Sequence, residues 1–272
     1  MSISRFVMAP LLAALLLPAT GLADAAIPAL TPQLVGVASE QNCLTGQERE
    51  LCASIRLNLE TTGQDWLDLK LLERLSLERD DAVLAAAVNG EQAVLALRKQ
   101  VERWLEQRRS ELQEALDNDY FTGFDEHGQL RFLGQRGKLA SFSATNYSYS
   151  GGAHGLGATR YLLMDLQSRS WLRLDDLLLS GKHGDLLDML IVAYREQHPE
   201  LAQDWLAKTR AEQAEQLLTD NFLFNESGLL FNYGPYELGP YAAGQISLQL
   251  HSHQLRTLIR EGFMPAPLSL ED

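Results

Sequence analysis

Residues 147–155 read YSYSGGAHG, a histidine set among glycines after a run that alternates tyrosine and serine. An imidazole titrates near neutral pH, so His154 has three physical uses here. It can be a general base or metal ligand, a buried ring bonded to a backbone group or a tyrosine, or a contact to a partner. Catalysis needs further groups at matching spacing. A hydrolase acting on peptidoglycan would have to assemble His154, Asp176 and Glu237. Against that reading, the chain has no G-x-S-x-G and no H-E-x-x-H segment. His251 and His253, in HSH, would share a face on a strand, but no third ligand accompanies them. No metal and no cofactor are therefore expected.

The glycines have their own meaning. Gly151 and Gly152 permit a positive φ that other residues adopt only at a cost. Gly155 and Gly157 extend that freedom, so the chain can turn sharply or pass close to another surface. A second glycine-rich stretch, PYELGPYAAG, holds Tyr236, Glu237 and Tyr241 between Pro235 and Ala243. Prolines stiffen it, glycines turn it, and the tyrosines offer flat amphipathic contact area. The expectation is that His154 helps lock the two loops together, with a tyrosine hydroxyl bonded to the imidazole. The candidate binding residues are Gly151, Gly152, His154, Gly155, Tyr236, Glu237 and Tyr241. Tyr236 and Tyr241 filling the core beside the GGAHG loop is the plainer alternative.

The N-terminus sets the compartment. One basic residue, Arg5, precedes an apolar stretch from Phe6 to Pro18, and Ala23-Asp24-Ala25 is an A-x-A cleavage site. Residues 1–25 read as a secretory signal peptide, cleaved before Ala26. The apolar stretch is shorter than the roughly 20 residues a membrane span needs, so no membrane span is expected. The mature protein is expected to be soluble in an oxidising space, a Gram-negative periplasm. The only two cysteines, Cys43 and Cys52, fit that compartment as a disulfide closing a short loop. Such a bridge stabilises by about 2–3 kcal/mol on the chain-entropy account.

The formal net charge is −13, and removing Arg5 (+1) and Asp24 (−1) leaves it unchanged. Nucleic acid and anionic membranes repel such a chain, whereas a basic partner is steered toward it.

The elements that must position these residues follow from periodicity. Residues 26–36 read as a flexible lead. Alternation through ASIRLNLE predicts a strand, and DWLDLKLLERL reads as strand or helix. Asn89 is a cap for a long amphipathic helix from Glu91 to Leu116. YFTGFDEHGQLRFLG reads as a hairpin turning at Glu126-His127-Gly128, and KLASFSATNYSYS as a strand. A hairpin turning at Gln167-Ser168-Arg169 follows the GGAHGLG loop. Helices are expected at about 184–197 and 199–218, then a hairpin turning at 225–228, a strand GQISLQL, and a closing helix capped by Ser252. The fold class is α+β, an antiparallel sheet with hairpins and packed helices.

Several motifs in this order resemble one family. YSYSGGAHG, DLQSRS, LRLDDLL and PYELGPYAAG are similar to segments of the C-terminal domain of the RsiV family, the lysozyme-sensing anti-sigma factors (domain of unknown function 3298). The resemblance runs from about Tyr147 to Phe263, and residues 37–143 more loosely resemble the region that accompanies this domain. Two units are thus expected, 37–143 and 144–265. Arg169 stands where the family has a turn glycine, and Leu178 where it has an aromatic. The sigma-binding part and membrane helix have no counterpart here, so the sensing domain is implied and the signalling role is not. The resemblance implies a non-catalytic binding module whose partner is a basic C-type lysozyme or another cell-wall-associated protein or glycan. A structural envelope protein without a soluble ligand is the other non-enzymatic reading.

Overall fold

A computed structural model describes residues 27–75, 77, 82–118, 120, 122–209 and 214–264. The expected signal peptide and its cleavage site lie outside the described residues. Among the described residues no helix is long and apolar enough to cross a membrane.

The chain opens with a long hairpin, β1 (Gln33–Thr45) and β2 (Glu50–Thr61), so the last residues of the expected lead are already strand. Cys43 and Cys52 sit opposite each other near its tip and form a disulfide. Buried Leu51, Ala53, Ile55, Leu57 and Leu59 alternate along β2, as the two-residue strand period requires. The segment DWLDLKLL, open to either reading, is helical: α1 spans Asp65–Leu72. Asp68 holds its start to the end of β2, accepting the Thr62 amide at 2.6 Å and the Thr62 hydroxyl at 2.8 Å.

After a short helical turn, α2 (Ala82–Ala85), comes α3 (Gly90–Asp117). Its Asn89 cap accepts the Gln92 amide at 2.9 Å, which satisfies one of the free first-turn donors. Ala93, Leu97, Val101 and Leu105 recur every fourth residue and are buried on one face of the helix.

The strand after α3 departs from expectation. β3 (Phe124–Arg136) runs straight through Glu126-His127-Gly128 and lies parallel to β2. Parallel neighbours need a long crossover, and the α1–α3 segment supplies it. Gly128 is a packing residue: a Cβ there would lie 2.8 Å from Leu57 Cδ2 and 3.3 Å from Leu75 Cδ2. The turn comes later, at Gly137-Lys138, where Gly137 has φ 54°.

β4 (Leu139–Tyr149), β5 (Leu156–Asp165) and the short β6 (Ser170–Leu172) complete a sheet of order β1-β2-β3-β4-β5-β6. All its pairs except β2–β3 are antiparallel. β4 runs through Ser143-Ala144, where the sequence suggested a division, so the two halves meet inside one sheet. Between β5 and β6 the chain turns at Gln167-Ser168-Arg169 as expected, and Arg169 itself takes φ 54°. A left-handed arginine does what glycine would do, with its guanidinium 4.9 Å from the Trp66 ring centroid.

The second layer packs on the other face of β4 and β5. It contains α4 (Leu174–Leu177), α5 (His183–Gln197), α6 (Pro199–Lys208) and a three-stranded antiparallel sheet. Its strands are β7 (Phe222–Asn225), β8 (Gly228–Tyr233) and β9 (Ile246–His251). α6 stops at Lys208; of the rest of the helix expected to 218, residues 210–213 lie outside the described residues and Glu215–Leu217 form a 3-10 turn. The closing helix is the single turn α7 (Ser252–Leu255), in which Ser252 is the first residue and His251 the cap.

The buried Tyr194 and Tyr233 hydroxyls donate to the Leu238 and Leu217 carbonyls. Burial pushes the Tyr194 phenol up to about 12, and burial and the Glu237 charge push Tyr233 up as well. Asn221 fastens this layer to the β5 edge beyond short β6, accepting the Tyr161 amide at 2.7 Å and donating to the Thr159 carbonyl at 3.0 Å.

Replacing both Cys43 and Cys52 by serine is expected to lower stability by about 2 kcal/mol, read by urea unfolding of the oxidised parent and the variant.

Candidate functional site

The GGAHG segment is the connection between β4 and β5, and its glycines have two different tasks. Gly151 and Gly152 both take φ 91°, so the sharp turn needs them for their backbone. Gly155 is needed for close approach: a Cβ there would lie 2.5 Å from the ring of Tyr147. Tyr147 lies across Gly155, and Tyr149 donates its hydroxyl to the Gly152 carbonyl at 3.1 Å. Beneath the loop, Ser148 donates to Glu126 at 2.5 Å, and burial holds that carboxyl above the usual carboxylate range.

His154 meets Tyr241. The two rings stack with centroids 3.7 Å apart and planes 14° from parallel. The Tyr241 hydroxyl donates to the Gly155 carbonyl at 2.7 Å, and His154 Nδ1 lies 3.2 Å from the same oxygen. The two loops therefore touch, through contacts other than the expected one. A ring stack and a hydroxyl on a backbone carbonyl replace the hydroxyl-to-imidazole bond, and the tyrosine stacked on His154 is Tyr241.

Tyr236 does not fill the core. It is 62% exposed and carries φ 73°, a conformation costly for a bulky residue. Its ring centroid stands 5.6 Å from that of Tyr241. Glu237 follows in the same turn, with its amide on the Gly234 carbonyl and its own carbonyl accepting Trp205 Nε1 at 3.1 Å. Its side chain is exposed. His154, Gly155, Tyr236 and Tyr241 thus form one cluster, edged by Glu237 and shaped by Gly151 and Gly152.

The sequence did not point to the cluster's extension. His127 lies opposite Tyr147 in the β3–β4 register, with ring centroids 5.9 Å apart, and its Nε2 is 2.9 Å from Asp125 Oδ1. The Tyr-Ser-Tyr alternation placed Tyr147 on a strand face. Reading Gly128 as a turn hid its neighbour His127.

The hydrolase arrangement does not assemble. Asp176 accepts the Arg173 amide at 2.8 Å as part of the α4 start. Among the described residues no hydrogen bond or ion pair joins it to His154 or Glu237. The rings of His251 and His253 stack 6.0 Å apart across the end of β9 and the start of α7. Among the described residues the one close grouping of metal-type ligands is Cys43, Glu50 and Cys52, and its sulfurs are spent in the disulfide.

Tyr241→Phe keeps the stack and removes one hydrogen bond, so a loss of about 1 kcal/mol is expected in urea unfolding. Tyr241→Ala removes the stack as well and should cost about 1 kcal/mol more.

Residues 175–252 match a protein-family model described as "Protein of unknown function (DUF3298)". The matched span holds Tyr236, Glu237 and Tyr241 and begins after the GGAHG loop. No curated protein matches the chain. The structure is similar to the crystal structure of a DUF3298 family member from Bacteroides fragilis, with 17% identity and a TM-score of 0.61, covering 85% of this chain and 95% of that one. It is also similar to that of a DUF3298 family protein from Pseudomonas aeruginosa, with 17% identity and a TM-score of 0.59, covering 87% and 98%. The chain shares the fold of these solved structures, and its residues 175–252 match the DUF3298 family model.

Proposed function

We propose that the protein is a secreted, periplasmic, non-catalytic binding module of the cell envelope, and that the aromatic loop cluster is its recognition face. The carrying observation is Tyr236, a bulky side chain held at positive φ and largely exposed beside the Tyr241–His154 stack. Backbone strain spent on displaying an aromatic surface is characteristic of binding sites. Exposed tyrosines on a pre-ordered loop lose little entropy on binding, and they are prominent among residues that dominate interface energies.

The order of motifs that resembles the RsiV sensing domain supports a C-type lysozyme as the first partner to test. Lysozymes of this type are basic, and a chain of net charge −13 attracts them over a Debye length of about 8–10 Å. Glu237 places one of those negative charges at the edge of the cluster. A cell-wall-associated protein of similar basicity is the wider class.

The test is calorimetry of the mature chain, from Ala26, against C-type lysozyme at physiological salt. The expected result is saturable binding that weakens as salt rises. Tyr236→Ala should weaken it by about 10-fold or more without loss of fold. A folded protein that shows no binding would remove lysozyme as the partner.

A further inference from the structure

At the opposite end of β4 from the aromatic loops lies a groove of about 2020 Å³ between the six-stranded sheet and the second layer. A ten-residue strand is about 33 Å long, so the two sites are well separated. The groove's walls include Leu133, Leu139, Leu163, Leu179, Phe224 and Ile259. Leu133 and Leu179 are left 44% and 38% exposed within it. Leu133 sits in the β3 bulge between Phe132 and Gly134, and bulges re-aim side chains. Apolar side chains left open in a concave site mark it as a place for an apolar ligand.

The rim is formally neutral, in a protein that is strongly acidic as a whole. Arg136, Arg256, His251 and His253 line it against Glu226 and Glu261. Arg136 is committed, donating to the Phe263 carbonyl at 2.7 Å and lying over the Phe224 ring. Among the described residues no hydrogen bond or ion pair occupies the Arg256 guanidinium.

Several polar side chains of the wall are already satisfied internally. Gln135 accepts the Leu30 amide and donates to the Pro28 and Gly137 carbonyls. Asn225 accepts the Ser227 and Gly228 amides and donates to Gln249. Ser252 donates to the Ser227 carbonyl. A peptide laid in the groove would bring many backbone donors and acceptors, each of which needs a partner there. An aliphatic chain brings none. We propose that the groove binds a free long-chain fatty acid, with its chain along Leu133, Leu179 and Phe224 and its carboxylate at Arg256. The volume exceeds the roughly 1,000 Å³ that a drug-sized ligand fills, so space does not limit the chain.

The test uses the mature full chain and dansyl-undecanoic acid as a fluorescent probe, with decanoate and dodecanoate as competitors. Saturable binding is expected, and each added methylene should tighten competition by about three- to four-fold. Leu133→Asp and Leu179→Asp should each weaken binding by about 10-fold while leaving the melting temperature unchanged, since both side chains are partly exposed. Arg256→Gln should weaken the acids by about 10-fold and leave dodecanol unaffected. Absence of saturable binding below about 100 μM would overturn the proposal. So would equal weakening of acid and alcohol by Arg256→Gln, or a leucine-bearing acidic peptide that displaces the probe and binds more tightly than the acids.

Discussion

The Leu139–Ala144 end of β4 and the β5 end paired with it are packed on both faces, and the rest of the architecture is arranged around that fact. Successive strand residues point to opposite sides. Phe142 and Met164 therefore enter the core under α3, while Leu139 and Leu163 enter the core of the second layer. One pair of strands is the shared wall of two hydrophobic cores. The six-stranded sheet needs α3 for its first face, and its second face is covered only where the second layer reaches. The aromatic loops and the groove both lie along the margin of that coverage, one at each end of β4.

Polar contacts fix the second layer in register on this wall. β6 is too short to protect the whole β5 edge, so Asn221 and Asn232 act in its place, and both donate to the Thr159 carbonyl. At the loop end, Tyr241 donates to the Gly155 carbonyl. At the other end, the Arg136 guanidinium of the six-stranded sheet donates to the Phe263 carbonyl. Each bond satisfies a backbone group that strand pairing leaves open, and a buried group of that kind is costly to leave unmade. The same contact that closes the β5 start also sets the Tyr241 ring against His154, so the proposed recognition surface is a by-product of sealing the sheet edge.

Much of this was legible in the sequence wherever one local signal acted alone. The Asn89 cap and the four-residue spacing of Ala93, Leu97 and Val101 gave α3, and two cysteines in an oxidising context gave the disulfide. Signals failed where a residue type has two physical uses. Gly128 looked like a turn, but it is small because Leu57 and Leu75 need its space. Arg169 stands where the resembling family has a turn glycine, and the arginine takes the left-handed conformation itself. In DWLDLKLL the apolar residues are too dense for periodicity to separate strand from helix. The candidate site was located by its glycines and tyrosines. Which tyrosine stacks on His154 was not readable, because that depends on how two loops far apart in sequence are brought together.

The account rests most directly on the clasp between the two glycine-rich loops. A double-mutant cycle on His154→Ala and Tyr241→Ala, measured by urea unfolding, isolates it. The stack predicts a coupling of about 0.5–1.5 kcal/mol. Losses that add to within about 0.3 kcal/mol would mean the rings do not hold the loops together, and the recognition face would lose its physical basis.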